Sequence, residues 1–146
     1  MKRKILFSLF VAVFMSSICA QENQKALGLR VGLYSVELSY QHPLAKANRL
    51  EADLGLSTYG VSASGIHQWV WNIPSVADGM KLYAGGGLGL GIYSSVFAAG
   101  LLGQAGLEYN FKFPLKLSLD YRPGLYVTPA VVVASDGICL AARYRF

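Results

Sequence analysis

The sequence predicts an all-β chain: an eight-stranded antiparallel up-and-down transmembrane β-barrel that follows an N-terminal signal peptide. Three observations carry that expectation. Apolar and polar residues alternate with period two along most of the chain, as in strands whose faces see different surroundings. The charges within each alternating run fall on one face, where a helix would scatter them around its circumference. An apolar fraction of 53% is reached although nothing after the leader resembles the run of about 20 apolar residues that a membrane helix needs.

The leader comes first. Met1-Lys2-Arg3-Lys4 is basic, and Ile5 to Met15 is apolar apart from Ser8. Ser16-Ser17-Ile18-Cys19-Ala20 then precedes Gln21. This is the order of a secretory signal, with cleavage expected after Ala20. Residues 1–20 are thus assigned to a cleaved signal peptide and 21–146 to one barrel domain. A lipoprotein signal fits less well, because Ile18 is bulky for the position before Cys19. Loss of Lys2, Arg3 and Lys4 leaves ten of the 13 Lys and Arg against 8 Asp and Glu, about +2. No basic run or basic-aromatic patch remains, so nucleic acid is not an expected partner. Cys139 is left as a single thiol with no intrachain disulfide partner.

Eight strands follow, at roughly 26–34, 36–42, 49–58, 61–71, 80–92, 99–111, 115–124 and 136–146. The first alternates clearly: Leu27, Leu29, Val31 and Leu33 are separated by Gly28, Arg30 and Gly32. Val36-Glu37-Leu38-Ser39-Tyr40 and Leu50-Glu51-Ala52-Asp53-Leu54 repeat the pattern. So do Leu107-Glu108-Tyr109-Asn110-Phe111, Leu115-Lys116-Leu117-Ser118-Leu119-Asp120, and the final run from Ile138. Turn residues gather between them at 42–48, 72–79 and 112–114, while Pro123 and Pro129 bracket a late loop. Short connections between successive strands favour a meander. Gly85-Gly86-Gly87-Leu88-Gly89-Leu90-Gly91 fits no phosphate-loop register and has no following Lys; it reads as a strand with glycine at its inward positions.

Alternation alone does not say which face is inside. The polar face holds Arg30, Glu37, Glu51, Asp53, Lys81, Glu108, Lys116, Asp120, Arg122 and Arg143. Balanced signs suit a closed lumen in which charges pair. Aromatic residues near strand ends on the apolar face, namely Tyr40, Trp69, Trp71, Tyr109, Phe111 and Tyr121, suit an interfacial girdle. Lys or Arg facing lipid at the midplane would cost about 2–4 kcal/mol, and this register points none outward from a strand centre. Eight strands leave an interior that side chains fill, so a plugged barrel is expected rather than an open pore. An even strand number puts both termini on one side.

On these residues the chain resembles the small eight-stranded outer-membrane barrels, the OmpA-transmembrane-domain-like and OmpX-like proteins. Tyr144-Arg145-Phe146 matches the aromatic ending of such barrels, and Tyr144 and Phe146 would serve as the assembly signal. The resemblance spans residues 25–146 and rests on architecture and this ending. It implies residence in the outer membrane of a Gram-negative bacterium, contact with outer-membrane lipid, use of the barrel-assembly machinery and a monomeric state. One departure is clear: the connections near Tyr34-Ser35 and Ser57-Thr58-Tyr59-Gly60 are very short, whereas such barrels usually carry long surface loops.

Chemistry is sparse. His42 and His67 have no metal-ligand spacing to another His or Cys, so no metal and no cofactor is expected. Small barrel enzymes that remodel lipid A use His, Ser and acidic residues, but strict alternation points Ser62 and Ser64 away from His67. The sequence therefore predicts a structural or interaction role without catalysis. The alternatives are a narrow channel for small solutes, a lipid-modifying enzyme and a soluble lipocalin-like carrier.

Overall fold

The computed structural model describes residues 24–135 and 137–146. The expected signal peptide lies outside the described residues. The described chain is all-β, in ten strand segments: β1 (Ala26–Gly32), β2 (Ser35–Pro43), β3 (Asn48–Ser57), β4 (Gly60–Asn72), β5 (Met80–Tyr93), β6 (Val96–Asn110), β7 (Leu115–Tyr121), β8 (Gly124–Thr128), β9 (Val132–Ala134) and β10 (Ile138–Arg145). β7 and β8 pair successively with β6, while β10 pairs with β7 and β9 with β8. Each couple is one interrupted stave, so the ten segments make eight antiparallel staves. β1 pairs with β10, from Ala26↔Arg145 to Gly32↔Cys139, and closes the barrel.

Two expectations need correction. The segment between Pro123 and Pro129 is a strand, β8, and not a loop. Proline breaks the ladder locally, since it has no N–H to donate; the stave resumes at Gly124, and Gly103 N donates to Pro123 O at the break. The eighth stave likewise begins at Val132, earlier than position 136. Tyr121, expected at a strand end, therefore sits within the seventh stave, at the break.

The first described residues, Gln24 and Lys25, and the last, Phe146, lie at one end of the barrel, with the turns after β2, β4 and β6. The other end carries the turns after β1, β3, β5 and β8. Tyr93-Ser94-Ser95-Val96 is a two-residue hairpin turn with φ of 49° and 66° at its centre, the left-handed pair whose twist matches the flanking strands.

Polarity is inverted relative to a water-soluble domain. Outward Leu29, Leu38, Leu54, Leu88, Leu101 and Leu140 are each about half exposed or more, while Arg30, Arg49, Glu51, Glu108 and Arg143 are almost completely buried. The core is polar and the wall is apolar. A strand of ten residues such as β3, rising about 3.3 Å per residue and tilted about 40°, reaches ~25 Å along the barrel axis, the height of an outer-membrane apolar band.

Candidate functional site

The interior has two unlike halves. Towards the termini it is packed with long polar side chains. Arg49 lies against Glu108 with paired contacts, Nη1–Oε1 at 3.0 Å and Nη2–Oε2 at 2.7 Å. Its Nε donates to Gln68 Oε1 at 2.6 Å, and its guanidinium sits 5.0 Å from the centre of the Tyr83 ring. Lys116 Nζ donates to Gln41 Oε1 at 2.9 Å and lies 3.6 Å from Glu108. At mid-height Glu51 accepts from Arg122 at 2.7 Å, from Arg143 at 3.1 Å, from Gln41 at 2.6 Å and from Gln104 at 3.1 Å. Arg143 also donates to Ser39 and Ser118. Above them Arg30 bridges Glu37, at 2.7 Å, and Asp120, and Arg122 also reaches Asp53 and Glu37.

Inward alternation accounts for each position. On β3 the odd residues Arg49, Glu51 and Asp53 face in, and on β10 Cys139, Ala141 and Arg143 do so. Taken along the ladders, five cations (Arg30, Arg49, Lys116, Arg122, Arg143) mesh with five anions (Glu37, Glu51, Asp53, Glu108, Asp120). Such pairing offsets a desolvation cost that isolated charges could not bear. Lys81 shares the inward face of Tyr83 but sits half-buried at the mouth beside the termini. Arg49 was not among the charges expected in the lumen, nor were Gln41, Gln68, Gln104 and Tyr83. Arg49 shares the parity of Glu51 and Asp53, which was the signal available.

Towards the other end the expectation of a filled lumen fails. A cavity of about 590 Å³ opens there. Small inward residues leave the space: Gly32, Ser62, Ser64, Gly89 and Gly124 line its wall. Arg30, Arg122 and Glu37 form its floor, and Tyr34 and Tyr59 stand exposed at its rim. Glu37, its side chain 13% exposed, is the most accessible acid of the ionic network. Cys139 lines the same cup and is buried.

The outward aromatics gather mainly at the termini end. Trp69 and Trp71 are half exposed there, and Tyr109 meets Phe111 edge-on at 4.8 Å between ring centres. Phe111 stacks on Phe113 at 5.1 Å, and Tyr144 on Phe146 at 6.3 Å. Tyr40 donates to or accepts from His42 Nδ1 at 3.1 Å. His67 packs edge-on against Trp69 on the outer face, while Ser62 and Ser64 face the lumen, so these three do not come together. Among the described residues no group of three or more His, Cys, Asp or Glu is placed to hold a metal ion. Comparison with family models, with curated proteins and with solved structures finds no match.

Proposed function

We propose that the chain is a monomeric integral β-barrel of a Gram-negative outer membrane, akin to the small eight-stranded barrels, with a structural or interaction role. One observation carries the reading: hydrocarbon side chains cover the outer wall while the ionic residues fill the middle. In water so continuous an apolar wall would drive aggregation. In lipid it is the favourable arrangement, and ring closure leaves no open sheet within the hydrocarbon. The aromatic collar of Trp69, Trp71, Tyr109 and Phe111 suits a membrane–water interface. By analogy the termini end faces the periplasm and the cup faces outward. A soluble carrier would need the reverse polarity.

The packed half argues against a standing pore, because Arg49, Glu51, Glu108, Lys116 and Arg143 fill it and are almost completely buried. The separation of Ser62 and Ser64 from His67 argues against a lipid-modifying centre built from those residues. The deciding experiment is extraction from membranes expressing the full chain. Resistance to carbonate, release by detergent and a mobility change on boiling are expected. Release by carbonate alone would overturn the membrane reading. Planar bilayers containing the protein should show no steady conductance.

A further inference from the structure

The cup has a chemistry of its own. Tyr93 and Tyr126 face inward on β5 and β8, and each follows a glycine two residues earlier, Gly91 and Gly124. A methyl group on Gly91 would lie 2.7 Å from Tyr93 Cζ and 2.9 Å from its hydroxyl oxygen; one on Gly124 would lie 3.1 Å from Tyr126 Cε2. Both rings therefore lie down over bare backbone, folded along their own strands towards the floor. Both tyrosines line the cup. The result is an aromatic wall held open above Ser62, Ser64 and Glu37.

The floor selects against ions. Arg30 and Arg122 line it, but both are engaged by Glu37 and are backed by Asp120 and Asp53. An entering anion would compete with carboxylates already in place, and a cation would meet two guanidinium groups. A neutral molecule rich in hydroxyl groups meets neither penalty. It can present an apolar ring face to the tyrosines and hydroxyls to the serines and the Glu37 carboxylate. The volume lies within the range of small-ligand pockets. We propose that the cup binds a neutral saccharide ring, stacked on Tyr93 and Tyr126 and hydrogen-bonded by Ser62, Ser64 and Glu37.

Two sources could supply that ring. One is a soluble sugar entering through the mouth. The other is the headgroup of a glycolipid entering from the side. Pairing of β1 with β10 ends at Gly32↔Cys139, and among the described residues β9 pairs only with β8. Leu33, Tyr34, Ala134, Gly137 and Ile138, described residues on this side of the barrel, all line the cup. The proposal rests on the membrane reading only for what lies outside the notch and the mouth.

The test uses the full chain in detergent, with tyrosine ring signals followed by NMR during titration with glucose, galactose, maltose and lactose. Saturable binding of at least one is expected, weakened about tenfold or more by the joint substitution Tyr93→Ala and Tyr126→Ala. Ser62→Leu, which fills the cup from another strand, should abolish it, while Leu54→Ala on the outer wall should not. Glucosamine and glucuronate should bind more weakly than the neutral sugars. A second arm compares phosphatidylcholine nanodiscs with and without a monogalactosyl diacylglycerol. A response to free sugar alone assigns the source to solution, and a response to the glycolipid alone assigns it to the bilayer. No response in either arm, tighter binding of the charged sugars, or binding indifferent to both cup variants would overturn the proposal. Because the first arm runs in detergent, its failure is distinct from failure of the extraction test.

Discussion

The two halves of the lumen obey the same alternation and reach opposite results. Both are built from inward positions of the same strands, yet one is solid and the other hollow. Side-chain length makes the difference. The inward ladder row from Lys116 runs through Arg143, Gly28, Ser39, Asp53, Ser64, Gly89 and Gly100 to Tyr126. It begins with long charged groups at the termini end and passes to serine and glycine at the other. The next row, from Glu108 through Ser118, Ala141, Arg30, Glu37, Gly55 and Ser62 to Gly91, likewise ends in serine and glycine. A barrel of one diameter thus acquires a plug and a cup through the order of residue sizes along slanting rows.

The plug should be where the molecule is least tolerant. Glu51→Ala removes the acceptor shared by Arg122, Arg143, Gln41 and Gln104. Two buried guanidinium groups then lose a counter-charge, which costs about 3–5 kcal/mol. Denaturant unfolding of the barrel in lipid vesicles should report that loss. Ser62→Ala in the cup, measured the same way, should stay within about 0.5 kcal/mol. Equal effects would erase the distinction between the halves.

A second substitution contrasts the wall with the lumen. Leu54 is 62% exposed on the outer face of β3, between inward Asp53 and the inward-facing Gly55 position. Leu54→Arg should destabilise the vesicle-bound barrel by about 2–4 kcal/mol if that face meets hydrocarbon near the midplane. In a chain whose wall meets water the same change would be close to neutral. The same unfolding measurement separates the two outcomes.

How much of this could be read from the residues follows from the same geometry. Strand number, inward parity and the pairing of first and last strands were legible, because period two is a property of one strand at a time. Arg49 was as legible as Glu51, two positions on, but it stood at the expected start of its strand, where alternation has little support on one side. The interruption at Arg122-Pro123 was not legible as such: a proline ends a ladder or merely breaks it, and only the resumed pairing of Gly124 with Leu102 decides. The cup was hidden for a stronger reason. Ser62, Gly89, Gly124 and Cys139 come from four different staves, and only the register sets them at one height. The Gly–x–Tyr pairs at 91–93 and 124–126 were visible in the sequence, but their meaning needs both rings on the inward face.

Glycines of β5 provide a finer contrast along a single strand. A methyl group at Gly87 would collide with the Gly65 carbonyl oxygen and lie 2.7 Å from Ile66 Cα, all backbone of the paired strand. Backbone in a ladder cannot step aside without loosening the pairing, so Gly87→Ala should cost about 1–3 kcal/mol, as overpacking does. Denaturant midpoints in vesicles measure it.

Four residues on, the same substitution should act on shape rather than stability. At Gly91 the three atoms nearest the added methyl all belong to the Tyr93 side chain, which can rotate. Gly91→Ala should therefore change unfolding free energy by about 0.5 kcal/mol or less. The displaced ring has one place to go, the open volume above Ser62 and Glu37. Its signals in NMR spectra should shift strongly while those of Tyr83, held in the plug by Asp120 at 2.8 Å, stay where they are. A Gly91→Ala barrel that unfolds as easily as Gly87→Ala would mean that β5 is clamped by its neighbours along its whole length, and the cup would then be no softer than the plug beneath it.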